Sequence, residues 1–219
     1  MNKHARKIIC GLLAAFWAEA VSGATVKTAA YDNPAEYDTG VRIDSSQFLG
    51  QAFVAAYTIN LTKVSLFLVN LSGTAAAITV EVREDASGVP GAFLGSATLT
   101  TTNTTARFID FDFIPGAVAL SAGALYYLTT SNPSPASEGY IWEANRVLGG
   151  ETGYPDGSAF FSTNQGTSWM PLNSGINNFD VGFQVWGEGI PEPSTVMFLA
   201  IGTLALVLGA TGRARNVTR

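Results

Sequence analysis

The stretch ITVEVREDASGVPG, residues 78–91, decides the fold. Ile78, Val80 and Val82 alternate with Thr79, Glu81 and Arg83. A period of two puts one set of side chains on a buried face and the other in water, as in a sheet wetted on one side. Ser87-Gly88-Val89-Pro90-Gly91 then breaks the run with turn residues. The same grammar extends outward in both directions. Arg107, Ile109, Phe111 and Phe113 alternate with Phe108, Asp110 and Asp112, and Val181, Phe183 and Val185 with Gly182, Gln184 and Trp186. Val64 to Val69 is a denser apolar run, suited to a central strand covered on both faces, and Tyr126 to Thr130 is rich in the aromatic and β-branched residues of strands. Turn clusters at Pro115-Gly116, Ser121-Ala122-Gly123, Asn132-Pro133-Ser134-Pro135, Gly149-Gly150 and Asp156-Gly157 separate these runs. No window between Ser45 and Glu188 carries a helical apolar stripe. The pattern predicts an all-β fold of about ten short strands, an antiparallel β-sandwich or jelly-roll-like domain over residues 45–189. Residues 25–44, with Asn33-Pro34 among polar neighbours, read as a loose lead-in.

Charge narrows the function classes. Between Thr25 and Thr195 six basic residues face sixteen acidic ones, a net charge of −10. Such a field repels a phosphate backbone, and no basic stripe interrupts it, so nucleic acid is not an expected partner. The single cysteine, Cys10, and the single histidine, His4, both lie in the first ten residues. A chain that loses those residues has no Ser–His triad, cysteine nucleophile, zinc site or disulfide. No cofactor is expected. Calcium stays open, because its ligands are oxygens.

The two ends carry address signals. Lys3, Arg6 and Lys7 precede an apolar run from Ile8 to about Ala18, and Ala18, Ala20, Ser22, Gly23 and Ala24 follow. These are the three regions of a secretory signal peptide, residues 1–24, with cleavage after Ala20, Gly23 or Ala24. The sequence before Cys10 lacks the small residues of a lipoprotein site. At the other end, residues 195–212 are eighteen residues without a charge. As a helix they reach ~27 Å, enough to cross a thin bilayer. Arg213, Arg215 and Arg219 follow and favour the cytoplasmic side. Pro191 and Pro193 keep the approach extended, so Glu192 stands on a stiff stalk that a protease could read. The topology expected is body outside, tail inside.

Candidate chemistry in the body is sparse. Asp110 and Asp112 share a strand face, where acid–base work would need them across a cleft from a partner; a solvated face is the simpler reading. Glu84-Asp85 and the Glu151, Asp156, Gly157 loop lack the Asp-x-Asp ladder of a calcium loop. Trp142 and Trp169, with Tyr140, Tyr154 and Asn164, could line a glycan site if a tryptophan is solvent-exposed, whereas core packing is the usual use of tryptophan. Trp186 raises the same question. Asn60, Asn70, Asn103 and Asn216 head Asn-x-Ser/Thr triplets, which arise by chance in a chain this rich in those residues.

Pro191-Glu192-Pro193-Ser194-Thr195, then the apolar span and the arginine-bearing end, resembles the PEP-CTERM sorting signal over residues 190–219. Ile190 stands where many members have valine, and the basic end is interrupted rather than a solid arginine run. The resemblance implies recognition of Pro191, Glu192, Pro193 and Ser194 by an exosortase-type membrane protease, after signal peptidase and the export machinery have acted. It implies a Gram-negative host, a transient inner-membrane intermediate with the body in the periplasm, and a final place on the cell surface or in the exopolysaccharide or biofilm matrix. The body is similar to a choice-of-anchor β-sandwich domain, type R, through Gln51-Ala52-Phe53, Val64 to Leu68, Ile78 to Arg83, the Ser87–Gly91 turn, Leu120 to Gly123, Tyr126 to Leu128 and Trp169. That similarity implies no enzyme activity. The two function classes expected are therefore a non-enzymatic sorted surface protein and a surface-displayed carbohydrate-binding module.

Overall fold

The computed structural model describes residues 23–147, 153–174 and 177–190. The strands are β1 (Thr25–Tyr31), β2 (Thr39–Ile43), β3 (Phe48–Val54), β4 (Ile59–Asn70), β5 (Ala76–Asp85), β6 (Pro90–Thr101), β7 (Arg107–Asp112) and β8 (Ala119–Leu120). They continue as β9 (Leu125–Ser131), β10 (Tyr140–Val147), β11 (Ala159–Ser162), β12 (Met170–Pro171), β13 (Asn173–Ser174), β14 (Asn177–Val181) and β15 (Phe183–Gly189). Among the described residues, helix is confined to two short 3-10 turns, Pro34–Glu36 and Ala136–Glu138. None is long and apolar enough to cross a membrane. The signal peptide, the apolar span 195–212, Pro191, Glu192, Pro193, Ser194, Arg213, Arg215 and Arg219 lie outside the described residues, as does Glu151.

The deciding stretch behaves as read. In β5, Ile78, Val80 and Val82 are fully buried while Thr79, Glu81 and Arg83 face outward. The Ser87-Gly88 loop turns β5 into β6 with both φ angles positive, 61° and 89°. That is the mirror-image turn whose twist matches paired strands. Ala86 N–H donates to Val89 C=O at 2.9 Å, and Gly88 N–H to the Asp85 carboxylate at 2.8 Å.

All pairings are antiparallel and form two sheets. One sheet of six strands runs β12-β11-β3-β9-β5-β6; the other, of nine, runs β1-β15-β4-β10-β14-β13 with β2, β7 and β8 attached alongside. Their inner faces close on one apolar core that includes Leu49, Phe53, Leu66, Val80, Leu128, Trp142 and Phe183. Strand β4 is central, bonded to β7 and β8 along one edge and to β15 and β10 along the other. Val64, Leu66 and Leu68 point into the core, and outward-facing Phe67 lies between the rings of Tyr37 and Phe108, each 5.0 Å away. Both faces of this run are thus covered.

Residues 25–44 correct the expectation of a loose lead-in. β1 pairs with β15, Thr25 opposite Glu188 and Tyr31 opposite Phe183, and β2 pairs with β10. The reason is local: a register shift between Lys27 and Ala29 breaks the period-two pattern, so the strand does not read as one. The first and last strands of Thr25–Gly189 therefore close the unit together.

A buried polar tie joins the sheets. Gln51 of β3 donates from Nε2 to Asp180 of β14 at 3.2 Å, and its Oε1 accepts Val181 N–H at 3.1 Å. The other Asp180 oxygen accepts Gly153 and Tyr154 N–H at 3.0 and 3.1 Å. Burial raises the Asp180 carboxyl above its ordinary range, and these donors pull it back down.

Candidate functional site

Two of the aromatics proposed for a glycan site belong to the core. Trp142 is fully buried, and its Nε1–H donates to Gly182 C=O at 2.8 Å. Tyr140 is fully buried, its hydroxyl donating to Ala76 C=O at 2.6 Å with Thr101 C=O a second acceptor within reach at 3.1 Å. Burial pushes that hydroxyl above its ordinary pKa. Both lie on β10, whose flanking strands leave positions 140, 142 and 144 facing inward. Neither can meet a sugar, which corrects that part of the expectation. Tyr154 is likewise buried, edge-on to Phe183.

The acidic candidates stay on wetted surface. Asp110 accepts Lys63 Nζ at 3.1 Å and Ser65 Oγ at 2.6 Å. Asp85 caps its own hairpin and accepts the Tyr127 hydroxyl at 3.2 Å. Among the described residues no group of three or more His, Cys, Asp or Glu side chains could hold a metal ion. Of the Asn triplets, Asn70 is buried and spent: its amide donates to Thr74 and Thr101 carbonyls, and its oxygen accepts Ser72 and Gly73 N–H. Trp186 stands half-buried on the outer face of the nine-stranded sheet, with Lys27 and Lys63 ammoniums 5.6 and 5.4 Å from its ring centre.

Trp169 is placed differently. It is half-buried on the outer face of the six-stranded sheet, packed against Ala52, Tyr127 and Phe160. The loop before it is knotted by short-range bonds. Ser162 Oγ donates to Asn164 Oδ1 at 2.8 Å and accepts Gly166 N–H at 2.9 Å. Asn164 also accepts Ser168 N–H at 2.9 Å and donates to Ser168 Oγ at 2.8 Å. Two successive residues, Gln165 and Gly166, sit at φ of 57° and 81°. For glutamine that left-handed conformation costs on the order of 1 kcal/mol, strain of the kind that gathers at binding sites. Asn164 thus shapes the loop rather than presenting itself to a ligand.

Beneath the loop, Gly50 of β3 lies against β9 and the indole. A Cβ there would stand 3.1 Å from Leu128 C=O, a tight approach, and 3.4 Å from the Trp169 ring, an ordinary contact. Beside the indole opens a small, shallow cleft walled by Phe48, Glu81, Arg83, Thr129, Gln165 and Trp169. Glu81 and Arg83 are outward neighbours on β5, and their side chains meet. Arg83 Nε and Nη2 donate to Glu81 Oε2 at 2.9 and 2.7 Å, and Nη1 donates to Gly91 C=O at 3.0 Å. Thr129 Oγ1 reaches the same Glu81 oxygen at 3.4 Å. The cleft therefore combines one aromatic face with fixed, charge-balanced polar groups. That mixture suits a ligand with an apolar face and hydroxyl edges. From the sequence only Trp169 was marked; the other walls read as the wetted half of an alternating strand. The isolated Gly50 inside an apolar strand marks the close approach of β9 and does not point to these walls.

No family model matches the chain, and no curated protein does. Solved structures give distant backbone likenesses. A clostridial cysteine protease after propeptide cleavage is 13% identical, with 75% of this chain and 40% of that chain covered and a TM-score of 0.49. The cysteine protease and lectin-like domains of a surface-layer-associated protein of Clostridium difficile give 13% identity, 65% and 32% coverage and a TM-score of 0.44. An infectious bursal disease virus structure gives 12%, 87%, 48% and 0.26. This chain spans well under half the length of the first two.

Proposed function

We propose that this chain is an exported, non-enzymatic surface protein whose sandwich binds carbohydrate and whose C-terminal segment directs its sorting. One observation carries the binding half: a partly exposed indole, packed beside Gly50 after a strained loop, next to the paired Glu81 and Arg83. The apolar face of a sugar ring stacks on such an indole while its hydroxyls reach the polar wall. The sorting half rests on the sequence signals. An exosortase-type membrane protease supplies the chemistry of cutting; the body delivers a carbohydrate contact to the surface or exopolysaccharide matrix.

The test is co-sedimentation of the full-length protein with the surface polysaccharide of the producing cells. Wild-type protein enters the pellet, and Trp169→Ala protein stays in the supernatant while keeping its melting temperature. Equal sedimentation of both proteins refutes the assignment of the cleft.

A further inference from the structure

We infer that the surface beside Trp169 takes a neutral sugar, gripped through two adjacent hydroxyls, and rejects acidic sugars; this rests on the carbohydrate reading above. Unused hydrogen-bonding capacity sets the first limit. Arg83 has five N–H donors and uses three, to Glu81 Oε2 twice and to Gly91 C=O once. Glu81 receives every one of its bonds on Oε2, and no described residue donates to Oε1. The ion pair thus offers one charged acceptor beside two N–H donors. A hydroxyl both donates and accepts, so a vicinal diol matches the pair: one hydroxyl gives its proton to Glu81 Oε1 while its neighbour's oxygen accepts from Arg83. Ser131 and Gln165 line the same cleft and bring further polar groups to it.

Charge sets the second limit. Glu81 and Arg83 cancel within the cleft, so no unpaired cation greets a carboxylate. A uronic acid would instead bring its charge against Glu81 Oε1, in a body of net charge −10. Like charge placed against the wrong ligand is a standard source of selectivity.

The experiment titrates the full-length protein, in a mild non-ionic detergent, with the methyl glycosides of glucose, galactose and mannose and with methyl glucuronide, read by saturation-transfer NMR. At least one neutral glycoside is expected to bind about tenfold or more tightly than the glucuronide. Glu81→Gln, which keeps an acceptor for Arg83 but removes the charge, is expected to shrink that preference to about threefold or less. Trp169→Ala and the milder Trp169→Phe are expected to weaken the neutral ligand in that order, with unchanged near-ultraviolet circular dichroism from the core. A glucuronide bound as tightly as the neutral glycosides overturns this inference and leaves the carbohydrate reading standing. Absence of binding by every glycoside, together with no retention on the native polysaccharide, overturns both.

Discussion

Trp142 and Trp169 are the same residue type in opposite environments, and replacing each with phenylalanine separates core from site. Trp142→Phe removes the Nε1–H that donates to Gly182 C=O at 2.8 Å. That carbonyl keeps a second donor, Phe67 N–H at 3.0 Å, so no acceptor is orphaned and the loss is about 1 kcal/mol. The side chain shrinks by ~40 Å³ in a fully closed place, which at ~24 cal/mol per Å³ of unfilled space adds about 1 kcal/mol. Lost apolar transfer, ~40 Å² at ~25 cal/mol per Å², adds about another. The sum is ~3 kcal/mol, an upper figure because neighbours relax. For a domain of this size that lowers the melting temperature by roughly 6–12 °C. Trp169→Phe removes no indole hydrogen bond to any of the described residues, and the side chain sits at the surface, so its effect on stability stays within about 1 kcal/mol. Thermal unfolding followed by far-ultraviolet circular dichroism measures both. Equal melting of Trp142→Phe and wild type refutes the reasoning, because a closed indole with a buried hydrogen bond cannot be lost without cost.

Two further perturbations probe the frame. Gly182 marks where the last stretch of chain passes from pairing with β10 to pairing with β4, and a Cβ there would lie 2.5 Å from the Tyr37 hydroxyl and 2.8 Å from Phe67 Cβ. Gly182→Ala is therefore expected to cost about 1–3 kcal/mol, read as a lower urea midpoint at an unchanged slope. Asp180 has a folded-state pKa above its ordinary value of 3.8, with burial as the cause. Between those two values the folded protein holds more protons than the unfolded chain, so this group's contribution falls as pH rises through that window. The stability of wild type relative to Asp180→Asn is accordingly expected to increase as pH drops from 7 toward about 4, and a shrinking difference in urea titrations would contradict the assigned direction.

The strands with clean alternation were legible. β5, β7 and the final pair β14 and β15 were marked by Ile78-Val80-Val82, Ile109-Phe111-Phe113 and Val181-Phe183-Val185, and these face the core. β1 was not, because its register shift at Lys27/Ala29 puts Thr28 and Ala29 both in buried positions. Gln51 sits in phase with Leu49 and Phe53, so its burial could be suspected; its partner Asp180 is 129 residues away and no local pattern points to it. The same distance problem hid the cleft. Glu81 and Arg83 on β5, Thr129 on β9 and the loop at Gln165 meet only because β3, β9 and β5 lie side by side. Composition favours neither role for a tryptophan. What separates Trp142 from Trp169 is that one lies on a strand flanked on both sides, and the other follows a loop that ends at a sheet's outer face.

The most direct measurement is the intact mass of the protein recovered from the cells that produce it and from their surroundings. The account predicts a chain beginning at Val21, Ala24 or Thr25 and ending close to Pro193, with the folded sandwich whole between them. A cytosolic polypeptide carrying the mass of all 219 residues, with nothing removed from either end, would contradict it.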